Sequence, residues 1–313
     1  MTLPISTNGE DLLGVKMEHP CLCIDVGGTS IKYALINSSL ELQEYGKVQT
    51  PYEGLDVYIQ RLERIFESFK GRAGGIGMSV PGRISPEGVC ISAGNLKYAD
   101  GLDLAGALHK RCGVPVTVMN DAKCAALAEA KWGALRDCKD GIAIILGTGI
   151  GGAIVKDRQI HMGAHYSAGE LSFVSMSGEL DDPSSMWYGQ NGNFRLIRMA
   201  ARAKNIPEDQ VSGEDIFRWV EDGDPKVCKV LDRFTAVIAR MIFNLQIIYD
   251  PERFVIGGGI SRQPSLLEYI NKNLDFCYQM FEGGMPKAEV TTCQFFNEAN
   301  LLGAFANFLN GNR

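Results

Sequence analysis

Two short apolar runs, each broken by a glycine turn and resumed at once as a second β-prone stretch, constrain this chain more than any other feature. The first runs Cys21–Ile24, Asp25-Val-Gly-Gly-Thr29, Ile31–Ile36; the second runs Ile142–Leu146, Gly147-Thr-Gly-Ile-Gly-Gly152, Ala153–Val155. Glycines between β-branched runs read as strand–turn–strand, and the recurrence hints at two related halves. Around them lie helix patterns. Leu55, Ile59, Leu62, Ile65, Phe66 and Phe69 fall three and four apart, which predicts a helix over Leu55–Lys70 with one buried face. Gly75–Val80 reads as a strand ended by Pro81-Gly82, and Val114–Met119 as another ending at Asn120-Asp121. The alanine-rich Ala122–Trp132 then continues as a helix. Val227–Tyr249 is a long helix stopped by Asp250-Pro251, Phe254–Ile256 leads into Gly257-Gly258-Gly259, and Ala299–Leu309 closes the pattern. Strands alternating with helices indicate an α/β protein.

A chain of 313 residues suggests about two domains. Its net charge of −6 argues against a nucleic-acid binder, which needs a basic face. No run approaches the ~18 apolar residues of a membrane helix. Residues 1–20 carry Glu10, Asp11, Lys16 and Glu18 without the apolar centre of a signal peptide, so they read as a loosely ordered arm. Nine scattered cysteines with no C-x-x-C pair fit reduced, buried thiols in a cytoplasmic protein.

Glycine turns let backbone N–H groups approach a phosphate, because no side chain blocks them. Gly27, Gly28 and Thr29, with Lys32 three residues on, suit that task, although an ordinary hairpin turn accounts for one such loop equally well. Gly147-x-Gly149-x-x-Gly152 formally matches a dinucleotide fingerprint, with Glu170 about twenty residues on. That fingerprint requires the glycines to open a helix, whereas Ala153–Val155 reads as a returning strand. The dinucleotide reading fails on context, and no G-x-x-x-x-G-K-[ST] occurs either. Asp25 and Asp121 stand at the C-terminal ends of predicted strands, where open α/β sheets place ligands, though each alone also suits a turn or helix cap. Two glycine hairpins, two strand-end carboxylates and a third glycine cluster together fit phosphoryl transfer, where catalysis is mostly positioning and electrostatics.

Asp25-x-Gly27-Gly28-Thr29-x-x-Lys32, Pro81-Gly82, Asn120-Asp121, Gly147-Thr-Gly-x-Gly-Gly152, Ala168-Gly-Glu170 and Ile256-Gly-Gly-Gly-Ile-Ser261 follow one another in that order. In this the sequence resembles the ROK family of bacterial sugar kinases and repressors, from about Cys21 to Ala306. The resemblance implies the two-domain actin/hexokinase/Hsp70-type ATPase fold with an interdomain active-site cleft. The implied small α/β domain is 21–121, completed by a C-terminal helix over 298–313, and the large α/β domain is 122–297. It further implies an ATP-dependent kinase that phosphorylates a hexose, at the 6-hydroxyl, with Asp121 as general base. Asp25 would orient Mg²⁺ or its waters. Gly27, Gly28, Thr29, Lys32, Gly147, Thr148, Gly149 and Gly151 would hold phosphates, and Gly257, Gly258 and Gly259 would approach the adenosine. Asn95, Asn120 and Glu170 would contact sugar, and a homodimer is expected.

Two departures qualify that expectation. Many family members bind structural zinc through a His and three Cys; here Phe173 stands where the His belongs, and Met186–Arg195 keeps two glycines but no cysteine. No zinc is therefore expected. His161 and His165 lie in a glycine-containing loop without a nearby thiol and are not read as metal ligands. Phe173, and Arg195 in place of a family Glu, leave the substrate open, with a β-glucoside or N-acyl hexosamine as the bulkier options. Two other readings remain. A sugar-responsive repressor of this family carries a helix-turn-helix of some eighty residues before the motifs, and here about twenty residues precede Cys21. A non-catalytic sugar sensor needs neither a base nor two phosphate loops.

Overall fold

The computed structural model describes residues 18–176, 182–279 and 284–311. The N-terminal arm expected over 1–20 lies outside the described residues except for its last three. In chain order the strands are β1 (Cys21–Val26), β2 (Ser30–Ile36), β3 (Leu42–Gln49), β4 (Gly75–Val80), β5 (Arg83–Ile84), β6 (Cys90–Ser92), β7 (Val116–Asn120), β8 (Gly141–Leu146), β9 (Ile150–Lys156), β10 (Gln159–Ile160), β11 (Arg253–Gly257) and β12 (Val290–Thr292). The α-helices are α1 (Leu55–Glu67), α2 (Leu104–Cys112), α3 (Asp121–Trp132), α4 (Trp187–Gln190), α5 (Asn193–Lys204), α6 (Gly213–Glu221), α7 (Pro225–Tyr249), α8 (Pro264–Gln279) and α9 (Ala299–Gly311).

The chain packs as two compact units. The first takes the described residues up to Trp132, the excursion Met162–Ser167 and the stretch from Glu298 onward; the second takes Gly133–His161 and Ala168–Asn297. Each contains a five-stranded sheet, ordered β3-β2-β1-β4-β7 in the first unit and β10-β9-β8-β11-β12 in the second. The wiring is the same in both. An antiparallel trio is continued by two parallel strands, β1 pairing antiparallel with β2 and parallel with β4, and β8 antiparallel with β9 and parallel with β11. The repeated strand–glycine turn–strand unit of the sequence thus occupies the same place in each sheet.

In the first unit β1 is buried along its whole length, as a continuous apolar run should be when both faces of a sheet are covered. Tyr58, Ile59, Leu62, Ile65 and Phe66 of α1 join Leu22, Ile24, Ile76 and Met78 in one core. α9 and α3 pack directly on each other. A Cβ at Gly303 would lie 1.9 Å from the Cys124 carbonyl oxygen, so only glycine permits this approach. Trp132, at the end of α3, stacks on Phe305 with ring centroids 6.2 Å apart. This packing keeps α3 together with α9 in the first unit.

In the second unit α7 carries the core, with Leu231, Phe234, Ile238 and Ile242 packed among Ile142, Ile144, Phe254 and Ile256. Its ends follow from sequence. The Asp224 side chain accepts from the Lys226 and Val227 amides with Pro225 in the first turn, and Asp250 terminates the helix at φ 52°.

Candidate active site

In the first unit the β1–β2 turn is closed by a hydrogen bond from the Gly27 amide to Ser30 O at 3.0 Å. Its carbonyls are tied from outside: Thr50 Oγ1 donates to Gly27 O and Tyr52 Oη to Gly28 O, both at 2.6 Å. Around the Cβ position of Gly28 the nearest atom is that Tyr52 oxygen, 3.8 Å away, so the outer side of the turn is open. Gly28 and Thr29 are exposed. Asp25, at the end of β1, is only 5% exposed. Its Oδ1 accepts from Ser79 Oγ and Asn300 Nδ2, each at 2.9 Å, and Lys32 Nζ stands 3.9 Å from Oδ2. Burial nonetheless dominates and raises the Asp25 carboxyl above its ordinary range, against the opposing pull of the Asn300 and Ser79 hydrogen bonds and the Lys32 charge.

Asp121 is the first residue of α3, directly after the last residue of β7. Its Oδ1 accepts from the Ala122 amide at 2.8 Å and from Asn120 Nδ2 at 2.9 Å. Asn120 Nδ2 also donates to Gly82 O at 2.8 Å, and Asn120 Oδ1 receives the Lys123 amide at 3.0 Å. Both amide hydrogens of Asn120 are engaged within the protein, where one holds the Asp121 carboxylate, and its Oδ1 caps α3. Gly82 belongs to a turn pressed on the segment after β6: a Cβ there would lie 2.1 Å from Ser92 O. Asn95 is exposed on that segment, next to the buried Leu96. Asn95, Pro81-Gly82, Asn120 and Asp121 are thereby linked into one corner of the unit.

In the second unit the turn after β8 is closed by Gly147 N to Gly149 O at 3.0 Å, and the Asn193 amide, opening α5, donates to Gly147 O at 2.9 Å. Nothing lies within 4 Å of a Cβ at Gly149. Thr148 is exposed in this turn, while Gly151 sits within β9, paired with Ile145. β9 runs antiparallel to β8, so the glycines open a strand and the formal dinucleotide match is a coincidence of spacing. Gly258, after β11, has φ 94° and abuts Leu146, whose carbonyl oxygen would be 2.1 Å from an added Cβ. Gly259 lies beside Asn193, with 4.0 Å from its Cβ position to Nδ2. Gly147–Gly149, Gly257–Gly259 and the start of α5 are thus neighbours. Glu170 is half-buried, preceding the single 3₁₀ turn Leu171–Phe173, and Phe173 is 66% exposed.

Ser79 and Asn300 carry no motif signal in the sequence, and Asn193 lies in a stretch that the sequence marks only by its lack of cysteine. The stretch Met186–Arg195 is braced by Trp187, fully buried, whose Nε1 donates to Asn191 Oδ1 at 2.7 Å, while Asn191 Nδ2 donates to Phe234 O at 2.9 Å. Among the described residues no group of three or more His, Cys, Asp or Glu is assembled to hold a metal ion.

Known proteins are similar to this chain along most of its length. A β-glucoside kinase of Klebsiella pneumoniae is 29% identical over 287 residues, covering 91% of this chain and 94% of the relative. An N-acetyl-D-glucosamine kinase of Vibrio cholerae is 28% identical over 270 residues, covering 80% and 87%. Among solved structures, a ROK family glucokinase from Streptomyces griseus in complex with glucose and AMPPNP superposes with a TM-score of 0.79 at 24% identity, covering 91% of this chain and 97% of that one. The fold is therefore the actin/hexokinase ATPase type. The ROK family model matches residues 21–310, and the chain belongs to the ROK family.

Proposed function

We propose that this protein is an ATP-dependent sugar kinase, transferring the γ-phosphate of ATP to a hydroxyl of a hexose or hexose derivative, the 6-hydroxyl first among them. The observation that carries the reading is the Asp121 carboxylate, fixed through Oδ1 by Asn120 and Ala122 at a strand-to-helix junction of a ROK-family chain. Asp121 takes the proton of the sugar hydroxyl as that oxygen attacks the γ-phosphorus; the bond to the β-phosphate oxygen breaks and ADP leaves. A positioned carboxylate is suited to this transfer.

The open turns carry the phosphates. Backbone N–H groups around Gly27, Gly28 and Thr29, with Lys32, and those of Gly147, Thr148, Gly149 and Gly151, receive phosphate oxygens. Gly257, Gly258 and Gly259 let the nucleoside approach backbone. Asn95, Asn120 and Glu170 pair with sugar hydroxyls, and Asn120 also holds the Asp121 carboxylate. The donor set fits Mg²⁺ as ATP carries it: Asp25 has one oxygen saturated by two donors, which suits an outer, water-linked partner, and magnesium keeps several waters. When bound, the ion neutralises charge on the transferring phosphates.

Phe173, exposed beside Glu170, favours a bulkier acceptor, a β-glucoside or an N-acyl hexosamine, because an aromatic face stacks on an apolar sugar face or acyl group. The cytoplasm is the compartment that suits nine scattered cysteines with no C-x-x-C pair. No helix among the described residues is long and apolar enough to cross a membrane. A homodimer covers apolar surface of the second unit, where Ile248 and Phe276 are exposed.

The test is ADP release with Mg-ATP over glucose, mannose, N-acetylglucosamine, N-acetylmannosamine and cellobiose, with the phosphorylated hydroxyl assigned by phosphorus-coupled NMR. Turnover on one acceptor supports the reading. Sugar binding without turnover across the panel would place the protein with sugar sensors instead.

A further inference from the structure

Lys123 is completely buried, two residues after Asp121 on α3. Lysine is almost never fully buried unless its ammonium is paired, because removing that charge from water is costly. Nothing in phosphoryl transfer as described above uses it. Its Nζ donates to the carbonyl oxygen of Tyr166 at 3.0 Å. Tyr166 has φ 59°, a left-handed conformation rarely adopted by a bulky side chain. Such a conformation persists where surrounding contacts over-determine it.

The acceptor lies in an unusual stretch. Met162–Ser167 groups with the first unit, although the residues on either side of it belong to the second. Side-chain ties within that unit hold it, among them Lys123 on Tyr166 and Arg83 Nη1 on Ser167 Oγ at 3.1 Å. Both ties return to the surroundings of Asp121. Arg83 follows Gly82, whose carbonyl accepts from Asn120; the Lys123 amide donates to Asn120 Oδ1. Asn120, Gly82-Arg83, Tyr166-Ser167 and Lys123 thus close a ring of hydrogen bonds and peptide links, and Asn120 holds the Asp121 carboxylate from within it.

Resting on the sugar-kinase reading, we infer that Lys123 is a positioning residue of the sugar site: its ammonium clamps the Tyr166 carbonyl, fixing Met162–Ser167 as a wall beside Asp121 against which the acceptor hydroxyl is oriented. Phosphate binding at the glycine turns does not depend on this clamp. Sugar affinity and ATP affinity should therefore respond differently to its loss.

The experiment compares Lys123→Met with the unchanged protein. Peptide-level hydrogen exchange over 160–170 is measured without substrate, and KM is measured for the acceptor and for ATP. Faster exchange confined to that segment is expected, with a sugar KM raised roughly 10-fold or more and an ATP KM within about 3-fold. Unchanged exchange, or sugar and ATP constants that move together, overturns the inference. Should Lys123→Met fail to fold, Ser167→Ala cuts the second tie at an exposed residue. It is expected to raise the sugar KM by about 2–5-fold with the ATP KM unmoved, and no change there overturns the inference equally. If the unchanged protein phosphorylates no sugar, the kinase reading fails, and hydrogen exchange alone still decides the clamp.

Discussion

Asn300 Nδ2 donates to Asp25 Oδ1 at 2.9 Å, joining the start of the last helix to the end of the first strand across 275 positions of sequence. The first glycine turn is thus completed by the far end of the chain. Asp25 is a buried carboxylate that two neutral donors and a half-exposed lysine only partly offset.

That imbalance gives Asp25 a definite pH signature. Its folded-state pKa is raised, so its contribution to stability is greatest below the unfolded value and is lost as pH rises through the folded one. Asp25→Asn removes the buried charge and keeps a partner for Ser79 and Asn300. It should raise the melting temperature at pH 7 by about 2–4 °C, the shift roughly 1 kcal/mol produces in a protein of this order. The gain should shrink as the pH approaches the ordinary carboxylate range, while phosphoryl transfer is lost. Thermal scans from pH 4.5 to 7.5 check it, and a lower melting temperature at pH 7 contradicts the account.

The glycines divide into two kinds by what surrounds them. A Cβ at Gly149 meets nothing within 4 Å, whereas one at Gly258 would overlap Leu146 O at a φ of 94°. Gly149→Ala should therefore leave stability within about 0.5 kcal/mol, as neutral surface changes do, yet raise the KM for ATP several-fold. Gly258→Ala should destabilise by more than about 2 kcal/mol through backbone overlap and strain. Urea unfolding beside ATP kinetics separates the two.

In the stretch where the family resemblance leads one to look for zinc ligands, Trp187 and Asn191 form a buried brace. Chelator treatment should leave the melting temperature unchanged, and elemental analysis should find no stoichiometric zinc. Trp187→Ala should cost roughly 3–5 kcal/mol, the range for deleting a buried aromatic. Stoichiometric zinc, or a chelator-sensitive fold, would contradict this.

Much of the architecture was legible because its signals are local. Gly75–Val80 is apolar and ends at Pro81-Gly82, and the strand has those bounds. The apolar run Val114–Met119 starts two residues before β7, because Pro115 cannot donate to the ladder and the strand begins after it. β3 carries no clear strand signal in the sequence, because Leu42–Gln49 is polar and largely exposed at the sheet edge. The site split along the same line. Asp25, Asp121 and the glycine turns stand in motifs, but Asn300, Ser79 and Lys123 gain their meaning only from contacts 54 to 275 positions away or across a left-handed turn. Asn120 stands in a motif too, but its bonds to Gly82, Asp121 and the Lys123 amide are visible only in the fold.

Acceptor choice should follow Phe173. Phe173→His restores a polar group in an exposed position beside Glu170, so stability should hardly move. The preference should shift toward simple hexoses by roughly 10-fold in relative kcat/KM, the scale on which modest pocket changes discriminate. An unchanged substrate ranking would remove Phe173 from the site.

The most direct measurement compares ADP production by the unchanged protein and by Asp121→Asn, with Mg-ATP and the best acceptor sugar. Turnover of at least ~1 per second is expected for the unchanged protein. The variant should fall by about 10²- to 10⁴-fold, the contribution of a general base, with sugar binding retained. Activity that survives in Asp121→Asn would contradict the account at its centre.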